Sequence, residues 1–298
     1  MLFGSRLVMD KLLTIGMATY DDYNGVFFSV QSLRMFHKIC NTNNVEFIVL
    51  DNNASSEHGK ACKSFIENQV HNGKYITNSE QNSSFNKYKI VDYAAGKYIL
   101  IIDCHILIEQ NGIDNLLKYF QQHINCKDLI QGPLWYDDLQ NISTHFDPVW
   151  RGDMFGIWAT NKTEYDKGLP FEIPMQGMGL LAFEKSNWVG INKHFKGFGG
   201  EEGYIAEKFK RNGGKNICLP YLKWNHRFGR PEGVKYPLIL EDRIWNYFIG
   251  WLEITQNPND KMINDIYNYF KNKIPLYSLD HIFDMAKKTI LGENNANT

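Results

Sequence analysis

The 298-residue chain carries a formal net charge of −1, so no global field draws it to a polyanion, and a nucleic-acid binder is disfavoured from the start. With 43% hydrophobic and 22% charged residues it is neither disordered nor fibrous, and it has room for one large α/β domain with an extension or for two smaller domains. Its five scattered cysteines form no C-x-x-C pair, a pattern that suits reduced thiols better than a zinc cage or disulfide framework.

In chain order, the N-terminal MLFGSRLVMDKLLTIGM is interrupted by Arg6, Asp10 and Lys11, and no later segment reaches membrane-span length without charge. A cytoplasmic protein with neither signal peptide nor transmembrane anchor is therefore predicted. LLTIGMATY (12–20) predicts a buried strand, and GVFFSVQSLRMFHKI a helix. VEFIVLDNN (45–53) predicts a second strand, HGKACKSFIENQV a helix, and KYITN a short third strand. FNKYKIVDYAAG predicts a helix ended by Gly96, and KYILIIDCHILI one continuous strand. Strands that are apolar throughout and alternate with helices predict an α/β fold with a mostly parallel central sheet flanked by helices. Ligands of such sheets bind at the carboxyl ends of the strands, where Asp21, Asp22, Asp51, Asp103 and His105 fall.

Residues 135–169, rich in Trp, Asp and Gly, predict a long functional loop that includes HFDPVWRGDMFGIWATN. PFEIPMQGMGLLAF then predicts a turn and a strand. GFGGEEGYIAEKFKRNGG predicts a glycine-rich loop running into a helix capped by Gly213 and Gly214. Three aromatic-rich amphipathic helices close the chain. Their apolar faces need cover, from the domain or from a second subunit in a homo-oligomer.

Three stretches carry chemistry. In LIIDCHILI a strand would put Asp103 and His105 on one face and Cys104 on the other. That pair is half of a metal site or a plain hydrogen-bonded pair. GFGGEE departs from the dinucleotide fingerprint, because its third glycine comes one residue late and no strand precedes it. Its Glu201 and Glu202 are catalytic acids or simply first-turn residues favoured by the helix dipole. His226, joined to Asp103 and His105, completes one carboxylate and two imidazoles. That set suits an octahedral ion such as Mn2+ (or Mg2+) sharing diphosphate oxygens and water.

On these residues the chain resembles metal-dependent nucleotide-sugar glycosyltransferases of the GT-A (nucleotide-diphospho-sugar transferase) fold. IDCH is similar to their D-x-H motif. PMQGMGLLAF, GFGGEE, the helix ending NGG and LPYLKWNH are similar to the corresponding segments of polypeptide N-acetylgalactosaminyltransferases, and they match without gaps from the double glycine to His226. IGMATYDDYNGVFFSVQSL and FIVLDNN are similar to the wider family 2 transferases. Phe198, Met178 and Glu202 depart from the pattern at the loop Trp, the first glycine of the pair and the Asn.

The resemblance implies a catalytic domain over 1–230; it does not cover the helical tail, whose amphipathic pattern predicts a C-terminal extension over 231–298 packed on the domain or on a second subunit. It implies a metal held by Asp103, His105 and His226, and a UDP-sugar donor contacted by Thr19, Asp21, Asp51, Lys87, Lys89 and Gly179. Glu201 and Glu202 would be the catalytic acids. Retention is the expected outcome; inversion with Glu202 as base is the alternative. The acceptor would be a glycan or protein hydroxyl or, for an anchorless enzyme, a modified DNA base, with the basic stretches near Lys210 and Arg227 as the only support. A non-catalytic sugar-nucleotide or glycan-binding module is the reading from another class.

Overall fold

The computed structural model describes residues 11–78, 83–230 and 233–296. The start of the N-terminal stretch read above for a leader core (1–10), and the expected domain boundary (231–232), lie outside the described residues.

Strand β1 (Lys11–Thr19) leads into helix α1 (Tyr23–Phe36), β2 (Val45–Asp51), α2 (Glu57–Gln69), β3 (Gly73–Thr77), α3 (Ser83–Tyr93) and β4 (Gly96–Asp103). These strands pair in parallel in the order β3-β2-β1-β4. The alternation of apolar side chains explains the layers. On β4, Tyr98, Leu100 and Ile102 join a core under α1, α2 and the later α4 (Gly112–Gln122). Ile99 and Ile101 join a second core under α3. Both faces are thus covered, which is why the strands read as unbroken apolar runs.

The predicted strand over 97–108 is corrected here. β4 ends at Asp103, whose N–H donates to Gly179 O at 2.8 Å, and Cys104–His105 make a turn. The chain re-enters as β5 (Ile106–Ile108), which belongs to a different sheet. The apolar run hid this break because both pieces are made of large aliphatic residues.

After α4 come β6 (Leu129–Gln131), β7 (Leu134–Trp135), β8 (Ile142–Ser143), β9 (His145–Arg151) and β10 (Met154–Ala159). The expected long loop is therefore a correction too: β9 and β10 form an antiparallel hairpin. Short α5 (Lys162–Asp166) and β11 (Phe171–Glu172) follow, then β12 (Leu180–Glu184), which runs antiparallel between β4 and β6. Helix α6 (Glu202–Arg211) and β13 (Asn216–Cys218) complete the large sheet, in which parallel pairs predominate. β14 (Trp224–His226) pairs antiparallel with β5, placing His226 opposite Ile106.

Helices α7 (Leu240–Thr255), α8 (Lys261–Phe270) and α9 (Leu276–Ala296) bury Ile244, Tyr247, Phe248 and Ile266 in the second core, alongside Phe155 and Tyr204. Part of their apolar surface is buried within the chain, while Leu276, Tyr277 and Met285 of α9 are exposed. Trp150 of the hairpin stacks on Tyr269 at 4.6 Å and meets Tyr247 edge-on at 4.9 Å. All five cysteines are free and buried. No helix among the described residues is long and apolar enough to cross a membrane.

Candidate active site

β1 is flanked by β2 on one side and β4 on the other, so successive connections leave it in opposite directions. This is the switch point where open α/β sheets bind ligands. A cavity of about 490 Å³ opens there. Thr19 and Asp103, at the carboxyl ends of β1 and β4, lie on its wall, as do Glu201 and Glu202 at the start of α6.

Asp103, His105 and His226 each offer a ligand atom within 4.8 Å of the others. The turn after β4 and the β5–β14 register bring them together, not strand alternation. Asp103 Oδ2 lies 3.2 Å from His226 Nε2, and the two imidazole rings stand edge to face at 4.8 Å. Lys87 Nζ donates to Asp103 Oδ1 at 2.7 Å and to Met178 O. It occupies Oδ1, so Oδ2 is left toward the histidines. Burial pushes the Asp103 carboxyl upward, but the Lys87 charge and the His226 hydrogen bond outweigh it and hold the group far below the usual range. The residue is a carboxylate at neutral pH.

His105 is oriented from behind. Its Nδ1 is 3.0 Å from Asp22 Oδ2, and Arg230 Nη2 lies 2.9 Å from Nε2. A guanidinium only donates, so Nε2 accepts and Nδ1 carries the proton given to Asp22. Burial lowers the His105 pKa, which favours this neutral form with an Nε2 lone pair. At Asp22, burial is again outweighed, here by hydrogen bonds from His105 and Arg227, and the carboxyl stays ionised. His226 Nδ1 is buried without a partner. One carboxylate and two imidazoles leave room for oxygen ligands, and this donor set fits Mn2+.

Glu201 and Glu202 are both buried. Glu201 accepts from Ser84 Oγ at 3.1 Å. Glu202 Oε2 has no partner. Burial, reinforced by the Glu201 charge, pushes the Glu202 carboxyl up to about 8, and burial raises Glu201 as well. The pair holds a proton at neutral pH.

Of the other expected donor residues, Thr19, Lys87 and Gly179 line the cavity. Gly179 leaves room for its neighbours as much as for a ligand: an added Cβ would lie 2.8 Å from the Trp224 ring. Three of the expected donor residues do not line the cavity. Asp21 has a left-handed backbone (φ 52°) that turns its carboxylate to Asn53 Nδ2, 3.1 Å from each oxygen. Asp22, not Asp21, lines the cavity. Asp51 turns to Tyr75 OH at 2.7 Å and the Asn53 N–H at 2.8 Å, and Asn52 takes its place on the wall. Lys89 lies two residues beyond Lys87 on α3, therefore on another face, with Nζ 5.0 Å over the Phe85 ring.

Asp22 was placed only at the ligand end of the sheet and Arg227 only in a basic stretch, while Asn52 and Arg230 were not singled out from the sequence. The DD pair after β1 and the NHRFGR run were the available signals.

The family model described as Glycosyl transferase family 2 matches residues 14–164. A 93-residue stretch, 31% of this chain, is 23% identical to the minor teichoic acid biosynthesis protein GgaB of Bacillus subtilis (strain 168), and spans 10% of that protein's length. The fold is similar to GalNAc-T7 solved with UDP, GalNAc and Mn2+ (TM-score 0.67, 13% identity), over 96% of this chain and 57% of that one. It is also similar to the mannosyltransferase PcManGT of Pyrobaculum calidifontis solved with GDP-Man and Mn2+ (TM-score 0.57, 12% identity), over 94% of this chain and 76% of that one.

Proposed function

The chain belongs to glycosyl transferase family 2 and has the GT-A fold; on that premise we propose that it is a glycosyltransferase that moves a hexose from a UDP-sugar to a glycan hydroxyl, with retention. The observation that carries this reading is the convergence of Asp103, His105 and His226 on the cavity at the carboxyl ends of β1 and β4.

These three residues would hold Mn2+, which when bound neutralises the charge developing on the leaving diphosphate. Arg227 and Arg230, beside Asp22 and His105, add cationic groups at the same end of the cavity. Lys87 keeps Asp103 ionised and oriented. The bond from the sugar C1 to the β-phosphate oxygen breaks, a bond from C1 to the acceptor oxygen forms, and the hydroxyl proton leaves on the diphosphate.

Retention is favoured because Glu202, protonated below about pH 8, is not a ready base in the free enzyme. A glycan acceptor is favoured over a DNA base by the net charge of −1 and by the apolar wall of Phe146, Trp158 and Phe228. The partial likeness to a teichoic acid biosynthesis protein supports the same choice.

The test is a panel of UDP- and GDP-sugars with Mn2+ and glycan acceptors, with products identified by mass spectrometry and their anomeric configuration by NMR. Mn2+-dependent release of UDP and an α-configured product are expected. No turnover with any donor, together with no Mn2+ binding, would overturn the reading.

A further inference from the structure

The GFGGEE loop owes its shape to the C-terminal helices rather than to a ligand. Asn246 on α7 is fully buried and lies some fifty residues from the loop in sequence. Its Oδ1 accepts from the Lys196 N–H at 2.7 Å, and its Nδ2 donates to Lys196 O at 2.6 Å and Gly199 O at 2.8 Å. One side chain thus satisfies three backbone groups of a single loop, groups that would be costly to bury unpaired.

One turn earlier on α7, Arg243 Nε donates to Phe198 O at 3.4 Å, and its guanidinium lies 5.6 Å over the Phe198 ring. From the opposite side, Ser84 of α3 accepts from the Gly199 N–H at 2.7 Å while its hydroxyl donates to Glu201.

The two glycines fit this grip. Gly199 and Gly200 have φ of 94° and 97°, a left-handed region that disfavours side chains. Added Cβ atoms would also meet Arg243 Nε at 2.6 Å and Asn246 Cβ at 2.9 Å. Close approach of α7, not of a ligand, requires both of them. The next two residues are Glu201 and Glu202 on the cavity wall.

We infer that Asn246 is a positioning residue for the transfer reaction, holding Lys196–Gly200 so that Glu201 and Glu202 face the cavity. This rests on the transferase reading above and makes α7 a working part of the active site. The metal-binding residues lie on the far wall, on elements that Asn246 does not touch, so its loss should separate turnover from metal binding.

The experiment compares wild type, Asn246→Ala, Arg243→Gln and a control, Leu252→Ala, which removes a buried α7 side chain away from the loop. Donor KM, kcat, Mn2+ affinity by calorimetry and Tm are measured for each. Displacing a wall of the site by about 1 Å can cost ~100-fold in rate, so Asn246→Ala is expected to lose kcat on that scale while Mn2+ affinity stays within about twofold. Arg243→Gln, partly exposed and expected to fold, should lower kcat and shift the pH–rate profile upward by removing a cation beside the acid pair. Leu252→Ala should lower Tm and leave kcat at 25 °C unchanged. If Asn246→Ala and Arg243→Gln retain wild-type kcat, or if Leu252→Ala loses as much as they do, the inference fails. An inactive wild type that binds no Mn2+ would instead overturn the transferase reading itself.

Discussion

Asp22 Oδ2 lies 3.0 Å from His105 Nδ1, and this contact settles which nitrogen of the imidazole faces the cavity. The same residue caps α1 through the Gly25 N–H at 3.0 Å, so the helix start and the ring orientation share one side chain. Asn is as good an N-cap as Asp. Asp22→Asn should therefore keep the fold while losing the charge that holds the Nδ1–H form. Removing such a partner typically costs 10–100-fold in metal affinity, and a loss of about that size is expected for Mn2+ by calorimetry. Wild-type affinity in the variant would mean that His105 does not depend on Asp22.

Asp103 is the only carboxylate of the candidate metal group it forms with His105 and His226. Treatment with EDTA should abolish turnover, and added Mn2+ should restore it. Asp103→Ala should lower metal-dependent kcat by ~100-fold or more, the scale of several kcal/mol of charge stabilisation. Full metal-dependent activity in Asp103→Ala or His105→Ala would show that the catalytic ion binds elsewhere.

The layers of the fold were legible because they depend on local pattern. The apolar runs of β1, β2 and β4 and the helical spacing of α1 and α2 specify a covered parallel sheet without any long-range information. The candidate metal group was only partly legible. Asp103 and His226 stand 123 positions apart, and nothing local places β14 beside β5. Resemblance to a family supplied that pairing, and the register of Ile106 opposite His226 supplies its physical cause. Asp21 and Asp22 differ in role through one left-handed backbone angle, which no periodicity reports. The hairpin around Trp150 and Trp158 read as a loop because side chains toward α7 and α8 and side chains toward the cavity are both aromatic. No apolar–polar alternation survives there. The double glycine before Glu201 has no local cause in the sequence, and only the packing of α7 shows what fills the space.

Tyr247 ties the hairpin to the C-terminal helices by accepting from the Phe155 N–H at 2.8 Å in a buried setting. Tyr247→Phe keeps the ring contacts with Trp150 but orphans that donor. A stability loss of about 1–3 kcal/mol is expected, the usual cost of a buried unsatisfied group. Urea unfolding measures it directly. An unchanged midpoint would mean that the hairpin relaxes to pair Phe155 elsewhere.

Glu202 gives the fold a pH dependence with a definite sign. Its carboxyl, ordinarily at 4.5, is raised to about 8 by burial and by the Glu201 charge. Between those values the native state keeps a proton that the unfolded chain has released. Stability therefore falls as pH rises through this window. The contribution is full below about pH 4.5 and gone above about pH 8. Glu202→Gln imitates the protonated form, so its Tm should match wild type near pH 5 and exceed it at pH 9 by several degrees. Thermal melts at the two pH values measure the gap, and a gap that does not widen with pH would show that Glu202 is ionised in the native state. The same variant reports on the stereochemistry. An inverting enzyme with Glu202 as base would lose turnover in Glu202→Gln. A retaining one keeps residual activity with an α-configured product, because the proton of the acceptor leaves on the diphosphate and not on this carboxyl.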